Sequence, residues 1–106
     1  MPVLKDLTVI ELGGIGPVPL CGMLLADMGA RVIRIEKMGG NPLAVPGDPT
    51  ARHRESLALN LRHSDSKSIL KRLLKTADIL LEGFRPGVLE NMGLSTDELE
   101  ALNPRL

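Results

Sequence analysis

A glycine-rich turn and a carboxylate at the end of the following strand are the first features of this sequence that suggest chemistry. Residues 13–16 read Gly-Gly-Ile-Gly, and Glu36 ends the next β-branched segment. In a dinucleotide-binding βαβ unit such a turn offers backbone N–H groups to phosphate, and the carboxylate holds a ribose hydroxyl. Here the G-x-G-x-x-G spacing fails because Pro19, which lacks an N–H, stands at the third glycine position. We therefore do not expect NAD binding, and the glycines fit a tight turn as well as they fit a ligand contact.

Side chains suited to acid–base or nucleophilic catalysis are few. His53 and His63 each lie in or beside a polar loop, and we do not expect either to be catalytic. Cys21 is the only cysteine, which excludes a disulfide framework and a multi-cysteine metal site. Its place in an apolar helix predicts a small core residue. We predict no catalytic residue and no metal site in this chain.

Apolar β-branched segments alternate with helical patterns along the chain. The predicted strands are residues 7–12, 31–36, 56–61 and 78–82, and the predicted helices are residues 17–28, 64–76 and 95–102. This alternation predicts an α/β fold with a Rossmann-like parallel sheet of about four strands and flanking helices. The fourth segment, apolar at its centre, is typical of a central parallel strand. Residues 37–55 form a long loop, a class that is usually functional or disordered.

Local signals mark where the helices begin and end. Pro17 suits a first helical turn and Gly29 suits the position after a helix, which predicts a buried apolar helix between them. Ser64 is the expected N-cap of the second helix. Ser95 and Glu98 have the spacing of a capping box for the last helix.

Composition excludes several classes of function. The chain has 106 residues, with 13 Lys and Arg against 13 Asp and Glu and one aromatic residue, Phe84. A neutral chain lacks the cationic field that broad nucleic-acid or membrane-surface binding needs, and one ring makes no base-stacking platform. The sequence also lacks a signal peptide pattern and an apolar run of about 18 residues. We expect one cytoplasmic domain at most, with no nucleic-acid or membrane partner.

Five segments, in order, resemble the opening of the family III CoA-transferases, and within that family the α-methylacyl-CoA racemase branch. They read VIELGGIGP at 9–17, LLADMGARVIRIEK at 24–37, SLALNLR at 56–62, DILLEGFRPGV at 78–88 and NPRL at 103–106. The resemblance covers essentially the whole chain. It implies that residues 1–106 are the N-terminal part of a Rossmann-like large domain in an acyl-CoA enzyme. It also implies an interlocked homodimer that needs no cofactor beyond the CoA of its substrate.

The resemblance also implies a set of CoA contacts when it is carried over by position. The residues are Lys37, Leu59, Asn60, Leu61, Arg62 and Arg85. Arginine contacts phosphate with two donors and lysine supplies a compact charge. Lys37 and Arg62 fit solvated strand-end charges equally well. Arg85 lies between a strand end and a helix start, where open α/β sheets bind ligands.

Two positions depart from the family pattern, and both bear on CoA binding. Glu55 stands in a run before the third strand that is usually rich in Arg and Lys, although Arg52 and Arg54 are available to compensate. Asn60 stands where an aspartate is more common.

The acid–base pair of the family is expected beyond residue 106, so the sequence leaves several functions open. A complete parent would remove and return the α-proton of a 2-methylacyl-CoA thioester, or would transfer CoA between carboxylic acids. The chain alone would then be a weak CoA-binding module without turnover. It could also be a non-catalytic fragment that self-associates through an exposed sheet edge.

Overall fold

Four parallel strands form one sheet in the computed structural model, which describes residues 2–13, 16–38, 47 and 52–106. The strands are β1 Thr8–Leu12, β2 Arg31–Lys37, β3 Glu55–Leu59 and β4 Ile79–Glu82. Their order in the sheet is β3-β2-β1-β4, and every pairing is parallel. The predicted α/β fold with a parallel sheet is therefore confirmed. Most of the predicted long loop, residues 39–46 and 48–51, lies outside the described residues.

Four helices accompany the sheet in the described part of the chain: α1 Pro17–Asp27, α2 Ser64–Leu74, α3 Val88–Asn91 and α4 Thr96–Leu102. The short α3 was not predicted. Its N-cap is Gly87, which has a left-handed backbone with φ of 89°. The third strand ends at Leu59, two residues before its predicted end, because the chain turns at Asn60.

The two faces of the sheet carry two separate core clusters, as the alternation of side chains along each strand requires. One face packs against α2 and α4, and its buried members are Ile10, Leu12, Ile33, Ile35, Leu59, Leu70, Leu74, Ala77 and Leu94. The other face packs against α1, with Val9, Ala26, Ala30 and Val32 buried. The sheet is thus enclosed by helices on both sides, which is the layering that an all-parallel sheet needs.

Only one stripe of α1 is buried, so the prediction of a buried helix is wrong for its outer face. Pro19, Gly22 and Ala26 face the sheet. The outer residues Leu20, Leu24 and Met28 are 47%, 52% and 46% exposed. Cys21 is also exposed, which corrects its prediction as a core residue. The helix is apolar all round, so its sequence carries no polar stripe to show which face meets solvent.

The two capping predictions had different outcomes. The capping box is confirmed, because the Ser95 hydroxyl accepts from the Glu98 N–H at 3.2 Å and donates to its carboxylate at 3.1 Å. Ser64, in contrast, is the first residue of α2 rather than its cap. His63 occupies the N-cap with an extended backbone, and its Nδ1 accepts from the Asp65 N–H at 3.2 Å.

β4 lies at one edge of the described sheet, although its composition predicted a central strand. It pairs with β1 on one side, and Ile79, Leu80 and Leu81 are each half-buried. Beside it lies an open groove of about 410 Å³ between the strand, α4 and the last residues of the chain.

Asn103 attaches the last residues of the chain to the connection between α2 and β4. Its buried side-chain amide donates to the carbonyls of Leu74 and Ala77 at 2.9 and 2.8 Å. Its side-chain oxygen accepts from the Arg105 N–H at 3.1 Å. One side chain thus satisfies two buried carbonyls at the end of α2 and closes the following turn.

Asn103→Ala should lower the free energy of unfolding by about 2–4 kcal/mol, because two buried carbonyls lose their donor. Urea unfolding followed by circular dichroism measures this loss. Asn91→Ala is the matched control, since Asn91 is exposed, and it should change stability by less than about 0.5 kcal/mol. Equal stabilities of the two variants would contradict the assigned role of Asn103.

Candidate functional site

The strand order creates a crevice between β1 and β4 at the carboxyl ends of the strands. The chain leaves β1 toward β2 on one side, whereas β4 pairs on the other side. The segments that follow β1 and β4 therefore diverge at this point. Open parallel sheets bind ligands in such crevices, because the diverging loops leave room between them. The predicted site residues must be judged by their position relative to this edge.

Phe84 packs against Gly13, which directly follows β1. A Cβ added to Gly13 would lie 2.5 Å from the Phe84 ring, and Gly13 has a φ of +54°. Phe84 is held by its N–H, which donates to the Glu82 carboxylate at 2.9 Å. Gly13 is therefore required both by the backbone and by the close approach of the ring. Residues 14 and 15 of the predicted glycine turn lie outside the described part of the chain.

All the predicted CoA contacts lie at the carboxyl edge of the sheet. Lys37 ends β2, is exposed, and pairs in register with Leu59 at the end of β3. The next three residues follow β3 directly, whereas Arg85 follows β4 and is exposed. β2 and β4 flank β1, and at about 4.8 Å per strand they are about 10 Å apart. The structure brings Lys37 beside residues 59–62 and places Arg85 across the crevice.

The residues after β3 differ in what they expose. Leu59 is buried in the core, so only its backbone is accessible from this edge, and Leu61 packs partly against the same core cluster. Asn60 shapes the turn, because its side-chain oxygen accepts from the Arg62 N–H at 3.2 Å and its carbonyl accepts from the His63 N–H at 2.9 Å. Arg62 is exposed on this turn.

The basic residues before β3 are engaged within the chain. Arg52 holds Asp27 of α1 through two contacts at 2.7 and 3.1 Å. Arg54 forms an ion pair with Glu11 of β1 at 2.8 Å. Both arginines therefore tie the segment before β3 to neighbouring elements, Arg52 to α1 and Arg54 to β1.

Glu55 is also paired within the chain. It forms a two-point contact with Arg31 of β2, at 2.7 and 3.1 Å. The glutamate at position 55, which departs from the family pattern, therefore forms an exposed ion pair between β2 and β3. Glu36 is exposed at the end of β2, with its carboxylate 3.8 Å from Arg34.

The Glu11–Arg54 pair is the charged group that sequence reasoning missed. Glu11 is fully buried, the Arg54 side chain is 2% exposed, and Arg34 approaches the same carboxylate at 3.5 Å. The Arg54 guanidinium also donates to the carbonyl of Pro19 in α1. The available signal was a lone carboxylate inside an apolar strand, since a buried charge requires a paired cation.

Burial and ion pairing shift the pKa values of these carboxyls in opposite directions. Burial raises the pKa of Glu11 above its ordinary value of 4.5, and the charges of Arg54 and Arg34 offset only part of that effect. The hydrogen bond from Arg52 lowers the pKa of Asp27, and that from Arg31 lowers the pKa of Glu55. Glu11 is therefore the carboxyl of these three with an elevated affinity for a proton.

The histidines serve local structure in the described residues. His53 lies with Nε2 3.9 Å from Asp27 and has a left-handed backbone with φ of 63°. His63 caps α2. Within the described ranges no three histidine, cysteine or acidic residues are grouped to hold a metal ion. Within the same ranges, no helix has the length and apolar character to cross a membrane.

Comparisons with known proteins place the whole chain in one family. A family model described as CoA-transferase family III matches residues 4–106. An α-methylacyl-CoA racemase of Mus musculus is 42% identical over 104 residues, covering 98% of this chain and 26% of that protein. A succinyl-CoA–D-citramalate CoA-transferase of Chloroflexus aurantiacus is 42% identical over 115 residues, covering 97% of this chain and 29% of that protein.

A solved structure agrees with these matches. The crystal structure of Rv3272 from Mycobacterium tuberculosis superposes on 100% of this chain and 32% of its own, with a TM-score of 0.92 and 34% identity. The chain therefore spans about a quarter to a third of the length of the relatives it matches.

The elevated pKa of Glu11 predicts a specific pH dependence of stability. The folded chain binds a proton at Glu11 more tightly than the unfolded chain does. The resulting stabilisation is complete below the ordinary pKa of 4.5 and is lost as pH rises through the elevated pKa. We expect the unfolding free energy of the wild type, minus that of Glu11→Gln, to grow as pH falls from about 8 to about 5.

Urea unfolding of both proteins across this pH range checks the prediction. The gain should be about 1.4 kcal/mol for each pH unit by which the folded pKa exceeds the unfolded one. Contributions from Asp27 and Glu55 are common to both proteins and cancel in the difference. A difference that stays constant or shrinks toward acid pH would show that the arginines hold the Glu11 carboxylate ionised.

Proposed function

The chain belongs to CoA-transferase family III, and on that premise we propose that it is the CoA-binding N-terminal part of an α-methylacyl-CoA racemase-like enzyme. The complete enzyme would epimerise 2-methylacyl-CoA thioesters by removing and returning the α-proton. This chain would hold the nucleotide end of the substrate. Acyl-CoA is then the partner, and the interlocked homodimer and cytoplasmic location expected from the sequence are part of the same proposal.

The observation that carries this proposal is the position of three exposed cations at the carboxyl edge of the sheet. Lys37 and Arg62 lie on one side of the crevice and Arg85 on the other. Lys37 and Arg85 end or follow strands about 10 Å apart, and Arg62 follows β3, one strand farther from Arg85. CoA carries phosphate at two places, the ribose 3′ position and the diphosphate. Two separated cationic positions fit such a ligand better than a single phosphate, because each anionic group can meet its own donor.

The surface between the cations suits the uncharged part of CoA. Gly13 and Phe84 meet at the crevice, where the ring packs against the glycine. Phe84 is half-buried, so part of the ring faces outward. We assign this apolar surface to the pantetheine arm, which must pass from the phosphates toward the reacting thioester.

The racemase branch is favoured over the transferases by the lengths of the alignments. The alignment with the mouse racemase is 104 residues long, and it covers 98% of the 106 residues of this chain, so the alignment is no longer than the covered part. The alignment with the citramalate CoA-transferase runs over 115 residues, which exceeds the 106 residues of this chain. That transferase therefore carries additional residues within the matched region. Transfer of CoA between carboxylic acids remains the alternative, since both relatives are 42% identical.

We assign no residue of this chain to the acid–base pair. Racemisation through an enolate needs one group on each face of the α-carbon. His53 lies against Asp27 beside α1, away from the carboxyl edge, and His63 caps α2. This chain would therefore contribute binding and orientation of the thioester, and the proton transfer would fall to other parts of the complete enzyme.

Arg85→Ala and Lys37→Ala should each weaken CoA binding by about tenfold, because each removes a charged donor to phosphate. Isothermal titration of the chain with CoA measures the effect. Arg72→Ala and Lys75→Ala are matched controls, since both residues are exposed at the opposite end of α2, and they should change Kd by less than about twofold.

Titrations with two smaller ligands show which part of CoA the chain contacts. Dephospho-CoA, which lacks the 3′-phosphate, should bind more weakly than CoA, and pantetheine should bind more weakly than both. Equal Kd values for the wild type and for both edge variants would refute the assignment of the carboxyl edge.

A further inference from the structure

The first turn of α1 lacks the capping devices that usually stabilise a helix N-terminus. Its N-cap is Gly16, which has a φ of 80° and no side chain to accept a hydrogen bond. The first turn contains no acidic residue and begins with Pro17. A helix that begins in this way tends to fray, because its first N–H groups have neither a cap nor a favourable charge.

A single guanidinium, that of Arg54 directly before β3, contacts both β1 and the first turn of α1. Arg54 Nε lies 2.8 Å from the carboxylate of Glu11, one residue before the end of β1. The same guanidinium donates through Nη2 to the carbonyl of Pro19 in the first turn of α1. The glycine turn, residues 13–16, lies between these two contacts along the chain.

The space between β1 and α1 is shaped around this arginine. A Cβ added to Gly22 of α1 would collide with Glu11 Oε1 and would lie 2.7 Å from Arg54 Nη2. Both Glu11 and Arg54 are almost inaccessible to solvent. The contacts are therefore made in a low-dielectric environment, where a charge-assisted hydrogen bond is stronger than at the surface.

We propose that Arg54 is a positioning residue that staples β1 to the first turn of α1 and thereby holds Gly13 and Gly16 in place relative to each other. Gly13 receives the Phe84 ring, so the staple controls the width of the crevice between β1 and β4. Its effect on CoA rests on the proposed function. Its effect on the first turn of α1 does not, because the contacts of Arg54 with Glu11 and Pro19 are made within the chain.

Amide hydrogen exchange of the wild type tests the staple without any variant. The Leu20 N–H donates to the Gly16 carbonyl at 3.2 Å and reports on opening of the first turn. We expect it to exchange as slowly as the amides of Val9 and Val32 in the sheet. Exchange roughly a hundredfold faster, the ordinary behaviour of a frayed helix end, would overturn the proposal.

Arg54→Lys tests the same point while keeping the positive charge. An ammonium lacks the planar fork, so it cannot hold the Glu11 carboxylate and the Pro19 carbonyl in the arginine geometry. The Leu20 amide should exchange about tenfold faster or more, and the Kd for CoA should rise about 3- to 30-fold. Arg31→Lys is the matched control in an exposed pair, and both measurements should stay at the wild-type value.

The outcomes separate the staple from the proposed function. Unchanged exchange of the Leu20 amide in Arg54→Lys would overturn the staple, whatever happens to CoA. Faster exchange with an unchanged Kd would overturn the link between the staple and the crevice. If wild-type chain binds no CoA, the proposed function fails and the exchange data alone decide whether the staple exists.

Discussion

The buried contact between Glu11 and Arg54 is the constraint on which the α1 side of this structure depends. A carboxylate placed inside a parallel strand must be matched by a cation, because an isolated buried charge would cost several kcal/mol. That cation comes from the residue just before β3, so the pair joins β1 to a distant part of the chain. It also requires Gly22 in the facing helix, where a side chain would have no room. The burial of Glu11 therefore determines how β1, α1 and the residue before β3 pack together.

The carboxyl edge of the sheet depends on strand order. Lys37 and Arg85 are far apart in the sequence, yet the order β3-β2-β1-β4 brings both to the carboxyl end of the sheet on either side of β1. None of the three exposed cations at this edge forms one of the ion pairs that fasten Arg31, Arg52, Arg54 and Arg105 within the described residues. Some basic residues are thus held in ion pairs within the chain, whereas these three stand at the carboxyl edge. With such a local grouping, a chain with no net charge would still present a cationic surface to the proposed polyanionic ligand.

Much of this fold could be predicted from local patterns. The parallel sheet followed from the alternation of β-branched and helical segments, and the capping box at Ser95 followed from its spacing to Glu98. The outward face of α1 could not be predicted, because the helix is apolar all round and only the position of the sheet decides that Cys21 is exposed. The cap at His63 could not be predicted because histidine is not among the usual N-cap residues, whereas Ser64, which directly follows it, is. The role of Arg54 depends on a contact with β1 that no local pattern encodes.

The assignment of the carboxyl edge to CoA is tested most directly by titrating the isotope-labelled chain with CoA and following the amide chemical shifts. We expect shift changes at Lys37 and residues 60–62 on one side of β1 and at residues 83–85 on the other. Dephospho-CoA should weaken the changes on at least one of these sides, because one phosphate is missing. Shift changes confined to the exposed face of α1 or to the basic face of α2, or no changes at all, would contradict the assignment of this edge to CoA.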